Sequence, residues 1–196
     1  MVFHDSLHWV VPSYYFHNVR LISFMPELIP VLKREEIEEL TASVARKISS
    51  DYKGRHLVLV GVLKGAFIFL ADLVRHLTIP VKVDFVRAAS YGSGSISSGD
   101  IELTKEIDID IEGQDVLVVE DIVDSGLTLT YLIDYLKKFN PETVRVCTLL
   151  DKYERRQSRV KVDYACRTIE KGFMVGYGMD YDEAYRELPE IYHLKF

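Results

Sequence analysis

The chain lacks the features of secreted, membrane-spanning and nucleic-acid-binding proteins. Its 196 residues include only two cysteines, Cys147 and Cys166, each inside an apolar run. This usage favours buried thiols in a reducing compartment and leaves room for one bridge at most, not a disulfide framework. No apolar run approaches the roughly 20 residues that cross a bilayer. The formal charge of −6 predicts no long-range attraction to nucleic acid or to an anionic membrane.

The N-terminal segment also lacks the basic cluster of a secretory signal and carries Asp5 in its place, so we expect a cytoplasmic protein. Residues 1–24 are rich in aromatics and His without a clear period, and we predict an irregular arm that packs on the body or on a neighbouring subunit. Hydrophobic residues make up 48% and charged residues 28%, as in folded proteins. With no internal repeat or linker, residues 1–196 are predicted to form one domain.

The remaining sequence alternates between helix and strand patterns. Apolar residues at helical spacing predict an amphipathic helix over 33–50, and the run LVLVGVL at 57–63 predicts a strand buried on both faces. The further predicted elements are a helix at 65–77, a strand at 81–87, a strand at 116–119, a helix at 126–139, and strands at 144–150, 160–164 and 173–177. A buried strand, a helix and another buried strand form a crossover unit with parallel pairing. The alternation therefore predicts a doubly wound parallel α/β sheet.

The stretch VLVVEDIVDSGLTL at 116–129 carries the clearest chemical signal. Ser125, Gly126 and Thr128 open a helix, where unpaired N–H groups, the helix dipole and two hydroxyls make a phosphate seat. Glu120 and Asp121 would repel phosphate, but their carboxylates suit ribose hydroxyls or Mg²⁺. Since this loop leaves the carboxyl end of a parallel strand, the carboxylates face the crevice where such sheets bind ligands. A sugar phosphate with a bound metal would suit both the phosphate seat and the carboxylate pair.

An isolated acid pair before a capped helix is usually an ordinary strand, turn and helix. The whole string, however, resembles the phosphoribosyl-pyrophosphate binding motif of the type I phosphoribosyltransferases. The resemblance extends over roughly 28–190 and narrows to the bacterial type of hypoxanthine(-guanine) phosphoribosyltransferase. It implies a doubly wound parallel sheet, a small hood formed by the N- and C-terminal segments, and a flexible flap loop.

The resemblance assigns the phosphate and pyrophosphate ligands. The implied phosphate-binding residues are Asp124, Ser125, Gly126, Leu127 and Thr128, and the implied pyrophosphate-binding residues are Lys64, Gly65 and Arg186. In the family's pyrophosphate loop, the peptide bond before the lysine is often cis. Ala66 stands where many relatives have a second glycine, a change that is tolerated if the position needs no positive φ.

The resemblance also implies the remaining roles. Asp124 is the proposed general base at purine N7, while Glu120 and Asp121 orient the ribose and the first Mg²⁺. The implied base-binding residues are Lys152 at the 6-oxygen, Phe173 as a stacking ring, Met174 through its backbone, and Asp180, which also holds a second Mg²⁺ through water. Taken singly, Phe173 and Met174 fit a core and Arg186 fits a surface ion pair, so it is their joint order that indicates a site.

The Gly- and Ser-rich stretch Tyr91–Asp100 predicts a mobile loop or hairpin tip. By resemblance, Ser90 and Tyr91 begin the catalytic flap. A flap has a chemical use, because an activated sugar must be kept from water.

The function implied is transfer of the phosphoribosyl group of phosphoribosyl pyrophosphate to N9 of a 6-oxopurine in purine salvage, with Mg²⁺, by a homodimer or homotetramer. Likeness to the bacterial enzymes favours hypoxanthine over guanine. Two alternatives stay open: a phosphoribosyltransferase for xanthine or another base, and a noncatalytic nucleotide-sensing regulator of the same fold. A nucleic-acid-binding regulator should display a basic face, whereas this chain is acidic and contains both Asp124 and Lys152.

Overall fold

The computed structural model describes residues 26–90 and 101–196. The predicted N-terminal arm and the Gly- and Ser-rich stretch Tyr91–Asp100 lie outside these residues. Along the described chain the elements are β1 Glu27–Leu32, α1 Arg34–Asp51, β2 Leu57–Leu63, α2 Phe67–His76, β3 Val81–Ser90, β4 Ile101–Lys105, β5 Asp115–Val123, α3 Leu127–Lys137, β6 Thr143–Lys152, β7 Tyr164–Ile169, β8 Met174–Val175 and β9 Ile191–Lys195. None of the described helices has the length and apolarity needed to span a bilayer.

The main sheet has six strands in the order β4-β3-β2-β5-β6-β7. Neighbouring strands from β3 to β7 run parallel, and β4 pairs antiparallel with β3 at the edge. The strand order reverses between β2 and β5, because β3 lies on one side of this pair and β6 on the other. Ligands of open α/β sheets bind at such a switch point, beyond the carboxyl ends of the strands.

Helices cover both faces of this sheet, as the doubly wound prediction requires. One face carries α1 and α2, whose Ile48 and Phe69 are fully buried in a core with the strands, as is Tyr52 directly after α1. The other face carries α3, which buries Leu132 and Leu136 in a second core. The first six residues of β2 are buried, because the strand is covered on both sides. The predicted fold class is confirmed.

A second sheet of three antiparallel strands, in the order β1-β9-β8, joins the two ends of the described chain. β1 pairs with β9 from Glu27 opposite Lys195 to Leu32 opposite Ile191. β9 in turn pairs with the short β8. This sheet is the small hood of N- and C-terminal segments that the family resemblance implied.

Two predicted strands differ from the structure. Residues 160–164 do not form a strand, because the chain turns from 153 to 163 and the next strand begins at Tyr164. Val160 and Val162 do pack towards the α3-side core, but the main chain nearby bonds to the loop before α3 instead of to a strand. The strand predicted over 173–177 shortens to β8, because Gly176 and Tyr177 take positive φ values of 94° and 50°.

Buried Asp84 on β3 fastens this strand to the segment after β4. Its carboxylate accepts the backbone N–H groups of Asp108 at 2.7 Å, Ile109 at 3.0 Å and Phe85 at 2.7 Å, and it contacts Lys105 Nζ at 3.2 Å. Although burial by itself raises the pKa of Asp84, these donors together lower the pKa below its ordinary value.

We expect Asp84→Asn to lower the free energy of unfolding by about 2 kcal/mol at pH 7, because a charged acceptor is lost. Since the folded-state pKa of Asp84 is depressed, its stabilising contribution is full above its unfolded pKa of about 4 and is lost as the pH falls through the folded value. Urea unfolding measured from pH 7 to pH 3.5 should show that the difference in free energy of unfolding between wild type and Asp84→Asn becomes smaller as the pH falls. Asp134→Asn, at an exposed position on α3, is the control. A difference in free energy of unfolding that stays constant with pH would contradict this account.

Candidate active site

The carboxyl ends of β2 and β5 open onto one cavity of about 260 Å³ at the switch point. Several residues singled out in the sequence line it, namely Glu120, Asp124, Ser125, Gly126 and Thr128. Larger surface cavities of about 570 and 800 Å³ border α1, but their linings contain none of these residues. We therefore take the smaller cavity as the candidate active site, because its lining contains these residues.

The loop between β5 and α3 requires glycine at its turn. Gly126 takes a left-handed φ of 77° and precedes α3, and a Cβ there would lie 2.2 Å from Ser158 Oγ and 2.8 Å from Val160 Cγ1. Ser125 Oγ accepts the N–H of Leu127 at 3.3 Å. The helix begins at Leu127, one residue after the predicted start, so its first N–H groups lie at the cavity.

Glu120 and Asp121 place two carboxylates side by side where β5 ends. Burial, together with the negative charge of Asp121, raises the pKa of Glu120 well above its usual value. Asp121 Oδ1 accepts the N–H of Ile122 at 2.8 Å. Asp121 Oδ2 abuts the loop after β2, where a Cβ on Gly65 would lie only 1.8 Å away. The pair places two acidic groups next to each other, one of them beside that loop.

The loop after β2 also meets the C-terminal part of the chain. The Leu63–Lys64 peptide bond is cis, as in the loops this segment resembles. Lys64 Nζ lies 2.7 Å from Glu183 Oε2, and a Cβ on Gly178 would come within 2.2 Å of Gly65 O. Ala66 has a φ of −73°, so the position needs no glycine.

Arg186 is anchored in the same cluster. Its Nη1 donates to Gly178 O at 2.8 Å, and its Nη2 lies 2.8 Å from Asp180 Oδ1 and 3.5 Å from Glu183 Oε2. Its Nε is buried and has no hydrogen-bond partner among the described residues. Asp180 Oδ2 accepts the N–H of Glu183 at 2.9 Å. The carboxylate of Glu183 thus lies within contact of both cations of the cluster, Lys64 and Arg186.

Lys152, which is buried, and Asp124, which is partly exposed, form an ion pair where β5 and β6 end. Lys152 is 4% exposed, and its Nζ contacts Asp124 Oδ2 and Gly172 O, both at 3.0 Å. An ammonium group has three N–H donors, and beyond these two contacts the third has only the more distant Glu154 carboxylate, at 3.7 Å from Nζ. Asp124 Oδ1 is buried without a hydrogen-bond partner in the described part of the chain. Both members of the pair therefore keep unused hydrogen-bonding capacity next to each other.

Phe173 follows the carbonyl that Lys152 contacts, and 42% of its surface is exposed. Its ring meets Tyr181 edge to face with centroids 5.6 Å apart. The Met174 side chain is buried in the core, while its backbone belongs to β8. Phe173 thus offers an accessible aromatic ring beside the Lys152 and Asp124 pair.

Comparison with known proteins decides the family. A family model described as the phosphoribosyl transferase domain matches residues 31–182, which is most of the chain. The chain belongs to this family. The motif at 116–129 that suggested phosphoribosyltransferases lies within the match, so the prediction of the family is confirmed.

Individual relatives place this phosphoribosyltransferase within the hypoxanthine-guanine group. The hypoxanthine-guanine phosphoribosyltransferase of Streptococcus thermophilus is 41% identical over 165 residues, covering 84% of this chain and 92% of that protein. The hypoxanthine phosphoribosyltransferase of Salmonella typhimurium is 44% identical over 163 residues, covering 82% and 92%. A crystal structure of the Staphylococcus aureus hypoxanthine phosphoribosyltransferase superimposes with a TM-score of 0.81 at 36% identity, covering 85% and 90%.

The site of this phosphoribosyltransferase gathers the residues singled out in the sequence into adjoining groups. One group contains Lys64, Gly65, Asp121, Asp180 and Arg186, and another contains Asp124, Lys152 and Phe173. Ser90 ends β3, and Tyr91 lies outside the described residues. Among the residues described, no group of three or more His, Cys, Asp or Glu side chains could hold a metal ion.

Sequence reasoning did not single out two residues that contact these groups: Glu183, which contacts Lys64 and Arg186, and Arg156, whose Nε donates to Asp124 O at 3.0 Å. Glu183 is one of several acidic residues in a charged segment. Its contact with Lys64 joins residues that are 119 positions apart in the chain. Arg156 lies in the polar run ERRQSR, which is typical of an exposed turn. Neither segment contains a signal that could have marked these side chains, because only their tertiary contacts distinguish them from their neighbours.

Proposed function

We propose that the chain transfers the 5-phosphoribosyl group of phosphoribosyl pyrophosphate to N9 of hypoxanthine, and also of guanine. The products are inosine or guanosine monophosphate and pyrophosphate, as in purine salvage. The observation that carries this proposal is the ion pair of buried Lys152 and partly exposed Asp124, whose unused donor and unused acceptor lie beside the exposed ring of Phe173. The names of the relatives support the same substrates.

The pair fits one edge of a 6-oxopurine. The 6-oxygen and N7 lie next to each other on this edge, whereas adenine presents an amino donor in place of the oxygen. Lys152 donates its remaining N–H to the 6-oxygen, and Asp124 Oδ1 accepts the N–H of a purine protonated at N7. Adenine would set its amino group against the lysine donor. Phe173 stacks on the ring, and the Met174 backbone and Asp180 border the base.

The reaction breaks the bond between ribose C1 and the pyrophosphate oxygen and forms the bond between C1 and purine N9. The proton on N7 passes to Asp124, so that the product purine is neutral. Ser125, Gly126, Leu127 and Thr128 hold the 5-phosphate at the start of α3. Lys64 and Arg186 face the leaving pyrophosphate and stabilise the negative charge that it gains. The chain contributes orientation and charge, with no covalent nucleophile.

The acidic residues fit a divalent cation. Glu120 and Asp121 form an acid pair that no cationic side chain contacts among the described residues, and burial together with the charge of Asp121 raises the pKa of Glu120. Mg²⁺ is commonly held by one or two carboxylates, waters and substrate phosphates, so a dedicated protein cage is not needed. Glu120 and Asp121 would hold one Mg²⁺ with the ribose, and Asp180 a second through water. When bound, Mg²⁺ neutralises charge on the pyrophosphate.

The proposal also covers the finer properties of the protein. It includes a single domain, a homodimer or homotetramer, a cytoplasmic location, and a flap that begins at Ser90 and Tyr91. A preference for hypoxanthine over guanine or xanthine rests on likeness to bacterial relatives, since these bases differ at position 2, away from Lys152. A regulator of the same fold would bind the sugar pyrophosphate without forming nucleotide.

Nucleotide formation tests the proposal. Purified protein is mixed with phosphoribosyl pyrophosphate, Mg²⁺ and, separately, hypoxanthine, guanine, xanthine, adenine and uracil. We expect nucleotide from hypoxanthine and guanine and none from adenine or uracil. Nucleotide from xanthine or uracil alone would establish the other-base alternative. Binding of the sugar pyrophosphate with no nucleotide from any base would establish the regulator.

We expect Glu183→Gln to bind pyrophosphate several-fold more tightly than the wild type. The Glu183 carboxylate contacts both Lys64 and Arg186, and the hydrogen bond from Lys64 lowers the pKa of Glu183, so it competes as an anion with pyrophosphate. Calorimetric titration with magnesium pyrophosphate measures the change. Glu187→Gln removes the same charge from a nearby exposed position and serves as the control. Equal affinities of Glu183→Gln and Glu187→Gln would contradict the competition.

A further inference from the structure

We propose that Arg156 is a positioning residue that fixes the spacing between Asp124 and Lys152. Its guanidinium group donates to three main-chain carbonyls and one carboxylate. Nε bonds to Asp124 O at 3.0 Å, and Nη2 bonds to Val123 O at 3.1 Å and to Lys152 O at 3.0 Å. The same Nη2 also contacts the carboxylate of Asp151. One side chain thereby connects the ends of β5 and β6.

The sheet itself does not fix this spacing. The parallel ladder between β5 and β6 ends with Val123 opposite Asp151, so Asp124 lies beyond the last paired residue of its strand. Lys152 is paired only with β7, through Ile169. The main chain of Asp124 is therefore held to β6 by Arg156, which takes the place of the next rung of the ladder.

The surroundings of Arg156 hold the guanidinium group itself in place. The side chain is only 14% exposed, and the guanidinium group stacks on the Tyr153 ring at 4.9 Å from its centroid. Tyr153 Oη donates to the other oxygen of Asp151 at 2.7 Å, which orients that carboxylate. The planar fork of arginine can donate in several directions at once, whereas a lysine ammonium is a single point charge. The geometry therefore needs the guanidinium shape and not the charge alone.

The same turn also supports the phosphate loop. Ser125 O accepts the backbone N–H groups of Gln157 at 3.0 Å and Ser158 at 3.1 Å. These bonds come from the main chain and persist when the Arg156 side chain is changed. Loss of the side chain should consequently affect the base subsite formed by Asp124 and Lys152 more than the phosphate subsite.

This inference rests on the proposed function, and its test separates the two. Arg156→Ala and Arg156→Lys are compared with the wild type and with Arg155→Ala, which removes an exposed arginine from the same turn. We expect kcat/KM for hypoxanthine to fall about 100-fold in both Arg156 variants, as a misplacement of about 1 Å produces. The KM for phosphoribosyl pyrophosphate should stay within about twofold, because the main-chain bonds that support the phosphate loop persist in the variants. Arg155→Ala should match the wild type.

Two further readouts exclude a merely structural role. Guanidinium chloride at low millimolar concentration should restore part of the activity of Arg156→Ala, because the free ion can fill the site, and should not restore Arg156→Lys. Calorimetric titration with inosine monophosphate should show weaker binding by Arg156→Lys than by Arg155→Ala, and this comparison needs no turnover.

The outcomes are distinct. Hypoxanthine kinetics within about twofold of wild type in folded Arg156→Lys would overturn the inference. Equal losses towards hypoxanthine and the sugar pyrophosphate, without guanidinium rescue, would also overturn it, since they indicate a general structural defect. A wild type that forms no nucleotide would instead contradict the proposed function. In that case, inosine monophosphate binding that depends on Arg156 would still support the positioning role.

Discussion

Asp124→Asn should lower the rate of nucleotide formation by about 100-fold to 10,000-fold, the range for losing a positioned acid-base group. The amide has nearly the shape of the carboxylate but does not take a proton from N7. It also exchanges a negative oxygen for a neutral group 3.0 Å from Lys152 Nζ, so the buried lysine loses the nearer of its two counter-ions. Both effects act on the base subsite.

Single-turnover measurements with saturating substrates test this prediction at the chemical step. Affinity for phosphoribosyl pyrophosphate should change much less, because Ser125, Gly126 and Thr128 still hold the phosphate. Glu154→Gln is a matched control, since Glu154 is the other carboxylate near Lys152, at 3.7 Å, and is more exposed. If Asp124→Asn were no slower than Glu154→Gln, Asp124 would have no special part in proton transfer.

Gly65→Ala should lower kcat/KM for phosphoribosyl pyrophosphate by about 100-fold, comparable to other displacements of positioned groups. The new methyl group would lie 1.8 Å from Asp121 Oδ2, far inside van der Waals contact, so either the carboxylate or the loop must move. Asp121 is buried and has little room to rotate. The fold should persist, because the collision involves a side-chain oxygen and not the core.

A double-mutant cycle identifies the cause of that loss. Asp121→Ala removes the colliding carboxylate, so Gly65→Ala should have little additional effect in the Asp121→Ala background. Thermal unfolding of all variants establishes that each is folded. Full additivity of the two losses would show that the methyl group acts through the Lys64 backbone and not through Asp121.

Much of the fold follows from the sequence because buried parallel strands have a simple pattern. The run 57–63 coincides with β2, since a strand covered by helices on both faces must be apolar throughout. The sequence also indicates the phosphate loop, because carboxylates, a glycine and hydroxyls stand in fixed order between a strand and a helix. These signals are local, and the structure places them at the switch point.

Other features depend on contacts between distant residues, which no local pattern encodes. Residues 160–164 alternate like a strand, but the turn from 153 to 163 is instead bonded to Ser125 and covers Gly126. The pairing of β1 with β9 joins opposite ends of the described chain. Arg156 is chemically similar to Arg155, and only its burial under the β5 and β6 ends distinguishes the two.

The central claim is that Asp124 contacts the purine at N7, and one comparison of substrates tests it directly. 7-Deazahypoxanthine replaces N7 with a carbon and keeps the 6-oxygen that Lys152 contacts. Nucleotide formation is measured for wild type and Asp124→Asn with hypoxanthine and with this analogue. We predict that the wild type on the analogue is about as slow as Asp124→Asn on hypoxanthine, and that the variant loses little more on the analogue. If the loss from the analogue and the loss from Asp124→Asn multiply when the variant acts on the analogue, Asp124 and N7 act independently. That result would contradict the account.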